Sequence, residues 1–237
     1  MTILHSSFLV HWVGKEFHKP PDAPLNDKLR NKYVETLIHI LENGLEMRRG
    51  KEEIYDLNGN LLETFISRVC FTEIKLSQAR RHAERYGSVG IGVSREFILQ
   101  NYGNPVFYME SGKSNVAVNA NRVLEFLKNN DRAGDTLLEY RTLLAYFKNM
   151  NDDGKDDLKY YDELEWRITH LNRLENEGRI TALDRDNHLY MFRLNRDDIK
   201  ILVFPDEQTK TMTFEDSRFP QLVNKPICLT IKDCENF

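Results

Sequence analysis

The sequence predicts an α+β fold, and three observations carry that reading. Short β-branched and aromatic runs alternate irregularly with stretches of helical period, the last third is rich in strands, and no regular succession of strand, helix and parallel strand links them. The expected architecture is a mixed, mostly antiparallel sheet with inserted helices. Residues 1–237 are expected to form one domain, with a helical insertion at about 119–150. The 237 residues are 41% hydrophobic and 11% aromatic, enough to build a core and too much for global disorder.

The first strand is Phe8 to Val13, and Pro20, Pro21 and Pro24 after it cannot continue a ladder. Asn26 or Asp27 caps a helix whose Tyr33, Leu37, Ile40 and Leu41 recur at helical spacing. Gly44 stops it. Asn58-Gly59 between apolar flanks marks a tight turn, and Phe65 to Phe71 reads as a strand. Ser77 then caps a helix from Gln78 to Tyr86 that Gly87 closes. Val89 to Val93 is a glycine-spaced strand, Ser94 caps a short helix to about Gln100, and Pro105 to Met109 is a further strand.

From Asn119 to Met150 the period is helical, with a break around Gly134, which predicts two helices. An acidic loop, Asn151 to Asp157, leads to strands at Leu164 to His170, His188 to Leu194, Ile199 to Phe204 and Ile227 to Ile231. No 20- to 50-residue repeat and no low-complexity linker interrupts the chain.

Composition narrows the function. Thirty-three basic and 37 acidic residues leave a net charge of −4, which argues against wholesale electrostatic binding of nucleic acid or anionic lipid. No apolar run approaches the roughly 18–20 residues of a membrane-spanning helix. Met1 to Val13 lacks the features of a secretory signal. Three cysteines cannot all pair within one chain, and none forms a C-x-x-C, so a reducing cytoplasm without structural zinc is expected.

Several motifs invite chemistry. Asn149-x-Asn151-x-Asp153-Gly154 has the oxygens of a calcium loop, but Tyr160 stands where a bidentate glutamate is needed. Gly87-x-x-Gly90-x-Gly92 reverses the dinucleotide spacing; its bare strand side suits close packing of a second backbone or a flat ligand. The histidines show no H-E-x-x-H or comparable ligand spacing. His11 on the first strand can hydrogen-bond a ribose, and Trp12, Phe71 or Tyr86 can stack on a planar ring.

The sharpest acidic feature is Asp162-Glu163-Leu164-Glu165-Trp166-Arg167. If Glu163 enters the strand, it and Glu165 share a face about 6.6–6.8 Å apart. One can then stay ionised to stabilise a cationic centre while the other orients an attacking group. The alternative is a solvent-facing edge pair with Arg167 in a surface salt bridge.

Longer stretches, in order, carry a resemblance: Leu9-Val10-His11-Trp12, Ile40-Leu41-Glu42-Asn43-Gly44-Leu45, Val69 to Leu76, Tyr86 to Glu96, Asn104-Pro105-Val106-Phe107-Tyr108 and Asp162 to Arg167. Together they resemble the AbiGi-type abortive phage infection family of bacteria over most of residues 8–204. That resemblance implies an antitoxin-like component of a two-gene phage-resistance system, and hence a partner protein.

A looser resemblance is to ADP-ribosyltransferases of the toxin and DNA-modifying type, through the first-strand histidine, the helix that follows it and the late E-x-E pair. It implies an ADP-ribosyltransferase-like fold with NAD as substrate. His11 would hold the nicotinamide-side ribose, with Phe71, Tyr86 or Tyr108 framing the nicotinamide. Glu165 would stabilise the ribosyl cation and Glu163 orient the acceptor; nucleic acid enters only as a modified acceptor. The chain departs from that pattern in lacking a clear serine-threonine-serine strand and in carrying Trp12 after the histidine.

Overall fold

The computed structural model describes residues 8–17, 24–73, 75–130, 134–150, 164–219, 222 and 225–236. A mostly antiparallel sheet organises them. Its continuous path runs β12 (Ile227–Thr230), β11 (Ile199–Phe204), β4 (Val89–Ser94), β1 (Phe8–Val13), β3 (Leu61–Thr72), β2 (Leu45–Tyr55), β10 (Leu189–Phe192) and β9 (Ile180–Asp184). β3 also pairs with β8 (Glu165–Thr169), which in turn pairs with β5 (Asn104–Pro105). In this sheet only β11 and β12 run parallel; β6 (Phe107–Met109) and β7 (Phe147–Asn149) form a separate parallel pair.

Local chemistry explains the elements. Helix α1 (Asp27–Asn43) begins where the Asn26 side chain accepts the Leu29 N–H, and it ends at Gly44, whose φ of 102° lies in the left-handed region. β2 and β3 form a hairpin closed at Asn58-Gly59. There Asp56, buried, accepts the N–H groups of Asn58 and Asn60 at 2.8 and 2.9 Å. Helix α3 (Arg95–Gln100) starts at Ser94, whose hydroxyl accepts the Phe97 N–H.

The structure corrects several sequence expectations. Helix α2 spans Ala79–Tyr86; Ser77 does not cap it but sits in a 3-10 turn, Leu76–Gln78. Pro105 to Met109 is not one strand. It splits at Val106, so that β5 serves the large sheet and β6 the small one. The expected helical insertion at 119–150 starts earlier, with α4 at Asn115–Lys128 capped by Ser114, continues as α5 (Gly134–Leu144), and ends in strand β7. The sequence reading passed over β2, β9, α6 (Asn172–Asn176) and α7 (Glu207–Glu215); the chain closes with α8 (Ile231–Cys234).

Residues paired across strands share a sheet face, and neighbours along a strand alternate. The register Val10–Thr72–Glu165 therefore defines one face, with Trp12, Cys70 and Arg167, and leaves Leu9, His11, Phe71, Val69, Trp166 and Ile168 on the other. The second of these faces packs under α1 through Tyr33, Leu37, Ile40 and Leu41 to form the largest core cluster. The first carries two smaller clusters. One joins Val10, Trp12, Ile201 and Val203 to Ala79, Ala83, Ile231 and Cys234 of α2 and α8. The other joins Ile54 and Leu62 of the hairpin to Met109, Ala117, Leu124 and Leu144.

The glycine-spaced strand is closely packed: a β-carbon on Gly92 would overlap the Ile201 side chain, and one on Gly90 would crowd Val10 and Trp12. Among the described residues no helix is long and apolar enough to cross a membrane. The calcium-like loop beyond Asn149 lies outside the described residues.

Candidate functional site: a buried charge network on one sheet face

A strip of polar side chains crosses the first sheet face at β3 and β8. Glu165 is 4% exposed and Arg167 1%, on a strand whose five residues are all buried. Alternation along β8 sends both side chains to one side, and Arg167 Nε donates to Glu165 Oε1 at 2.6 Å. The second carboxylate oxygen receives Lys148 Nζ of β7 at 2.5 Å. The Glu165 N–H donates to the Tyr108 hydroxyl of β6 at 2.8 Å.

The remaining guanidinium nitrogens of Arg167 are also committed. One donates to the Ala145 carbonyl at 2.5 Å and the other to Glu52 Oε1 of β2 at 2.6 Å. Glu52 receives Arg68 of β3 at the same distance, 2.6 Å. Gly50 makes this possible, because a β-carbon there would collide with the Arg68 guanidinium. Three cations thus face two carboxylates, held by strands distant in sequence.

The protonation states follow from these neighbours. Burial alone would raise the Glu165 pKa, but Arg167 and Lys148 outweigh it and hold the carboxyl well below the usual carboxylate range. For Arg167, burial works against the charge and the carboxylates more than restore it, leaving its pKa above the ordinary value. The Cys70 thiol, beside Glu165, is pushed up to about 12 by burial first and by that negative charge second, which favours the thiol over the thiolate.

The predicted site residues fall in three settings. His11 lies on the face opposite Glu165. Its Nδ1 donates to the Cys70 carbonyl at 2.8 Å, its ring centroid lies 5.8 Å from that of Phe71, and burial lowers its pKa against the raising effect of the carbonyl. Phe71 itself is buried in the α1-covered core. Tyr86 closes α2, with His82 at 6.2 Å between centroids and Lys15 and Arg85 over its ring. Tyr108 alone joins Glu165. Glu163 lies outside the described residues.

Sequence reasoning missed Glu52, Arg68, Lys148 and the protonated Cys70. The one visible signal was the two-residue spacing of Glu165 and Arg167, which on a strand places acid and base side by side. Its alternative reading, an Arg167 salt bridge at a solvent-facing edge, has the pair right and the burial wrong, because β3 covers one edge of β8 and β5 also pairs with it. Among the described residues no group of three or more histidine, cysteine, aspartate or glutamate side chains could hold a metal ion.

A buried, internally paired network of three cations and two carboxylates thus sits on one face of a mixed sheet, with Tyr108 and Lys148 reaching it from the β6–β7 pair. The chain belongs to a phage-resistance family: residues 47–205, two thirds of its length, match the family described as "Putative abortive phage resistance protein AbiGi, antitoxin". The match spans β2 through β11 and so includes every side chain of the network. No curated protein and no solved structure matches the chain significantly.

Proposed function

We propose that this protein is the non-catalytic, antitoxin-like member of a two-component phage-resistance system, acting in the cytoplasm as one domain through contact with a partner toxin. The observation that carries the reading is the commitment of Glu165. A carboxylate meant to stabilise a ribosyl cation must offer its charge to substrate, and here both oxygens already neutralise Arg167 and Lys148. The family description, antitoxin, points the same way.

The transferase reading, with its ADP-ribosyltransferase-like fold, asks that His11 and Glu165 address one nucleotide. Their positions on opposite sheet faces lend it no support.

Nicotinamide release from NAD by the purified chain separates the two. The binding reading expects no release above a protein-free control, and any NAD-induced thermal shift to survive His11→Ala. Release that disappears in both His11→Ala and Glu165→Gln would instead establish the enzyme.

A further inference from the structure

A second feature lies apart from the charge network. A half-open cavity of about 770 Å³ sits between the sheet face that carries Phe65 and Ser67, helix α5 and the start of β10. That volume is in the range of small-molecule sites, about 300–1,000 Å³. Its lining combines partly exposed aromatic surface with exposed arginines. Phe65 is 46% exposed, with the Arg49 guanidinium 5.0 Å over its ring. His170 stacks on Tyr190 at 4.1 Å.

Neither Arg49 nor Arg141, both exposed lining residues, has an ion-pair partner among the described residues. A left-handed residue marks the same place. His188, a lining residue, has φ 54°, and its carbonyl is fixed by the Ser67 hydroxyl at 2.6 Å. A non-glycine residue in the left-handed region is uncommon, and histidine adopts it more readily than most.

We propose that this cavity binds a nucleoside phosphate. Arg49 and Arg141 present planar, permanently charged forks suited to phosphate oxygens, and the Phe65 and His170 rings offer flat surfaces for a base. Asp135 and Glu139 of α5, also in the lining, are acceptors of the type that hold ribose hydroxyls. The base stacks, the phosphate meets the arginines and the sugar faces α5. This site shares no residue with the Glu165 network and does not depend on the antitoxin reading.

The test is isothermal titration of the full chain, near physiological salt, with AMP, ADP, GMP, adenosine and inorganic phosphate. At least one nucleotide should bind, with adenosine and phosphate each at least ~10-fold weaker. Arg49→Ala and Arg141→Ala should each weaken the nucleotide at least ~10-fold, the loss of about one charge-assisted hydrogen bond, while leaving the melting temperature of the free protein unchanged. Phe65→Ala should weaken nucleotides and leave phosphate unaffected, whereas His11→Ala should change nothing. Absence of nucleotide binding at millimolar concentration, phosphate binding as tightly as nucleotide, or affinity indifferent to both arginines would overturn the proposal.

Discussion

Replacing Glu165 by glutamine is the most informative single perturbation of the network. The change keeps the shape and one acceptor oxygen but removes the charge that neutralises two buried cations, Arg167 at 1% and Lys148 at 12% side-chain exposure. Breaking a buried ion pair by altering one partner costs about 3–5 kcal/mol, because the other charge is left uncompensated. The oxygen that glutamine retains lowers this to roughly 2–4 kcal/mol. For a chain of this size each kcal/mol moves the melting temperature by about 2–4 °C, so about 3 kcal/mol corresponds to a fall of about 6–12 °C.

Urea and thermal unfolding followed by circular dichroism at neutral pH would read it. Acid titration adds a second signature. Glu165 is held below its ordinary value of 4.5 in the folded state, so the unfolded chain takes up this proton first. Its contribution is complete above about pH 4.5 and declines as the pH falls further, a component the glutamine variant should lack. A loss below ~1 kcal/mol with an unchanged acid limb would refute the structural role, since a carboxylate poised for chemistry is dispensable to stability.

Other expectations follow from the same packing. His82 is buried, its Nδ1 has no hydrogen-bond partner among the described residues, and burial, with Arg81 and Arg85 nearby, lowers its pKa to about 4 from 6.5. Because the unfolded chain protonates first, up to about 3 kcal/mol of stability should be lost as pH falls from 6.5 to 4, and His82→Phe should flatten that limb of a urea-midpoint profile. Gly92→Ala should cost about 1–3 kcal/mol by overlap with the Ile201 Cγ2 methyl, and it should cost less in an Ile201→Ala background, which lacks that methyl, when both are followed by thermal melts. Trp12→Phe removes the 3.1 Å bond from the indole N–H to the Thr72 hydroxyl and should lower the urea stability by about 1 kcal/mol.

What could be read from sequence was local. Asn26 and Gly44 bound α1, Ser94 starts α3, and Asn58-Gly59 turns the long hairpin, because each acts within a few residues of itself. β2 was hidden by its own charges. Leu45–Tyr55 carries six charged residues before Ile54, and only the ion pairs of Glu52 to Arg68 of β3 and Arg167 of β8 explain why it belongs on a covered face. Helix α7 escaped for a related reason: its buried positions are Thr209 and Thr213, one tied to Asp206 and the other to the Thr209 carbonyl, so no apolar stripe announces it.

The site shows the same division. The Glu165–Arg167 pair follows from strand alternation, whereas Lys148 arrives from β7, a strand concealed in a region of helical period. That His11 points away from Glu165 depends on the register of β1 against β3, which no local signal encodes.

A chain that works by holding a protein partner, with Glu165 serving the frame, must bind and neutralise that partner in cells. Co-expression with the product of the gene beside its own, followed by growth and by size-exclusion chromatography with light scattering, tests it most directly. Relief of the partner's toxicity, a stoichiometric complex and an unchanged cellular NAD pool are expected. Separate elution of the two proteins, with NAD falling only when Glu165 is intact, would contradict it.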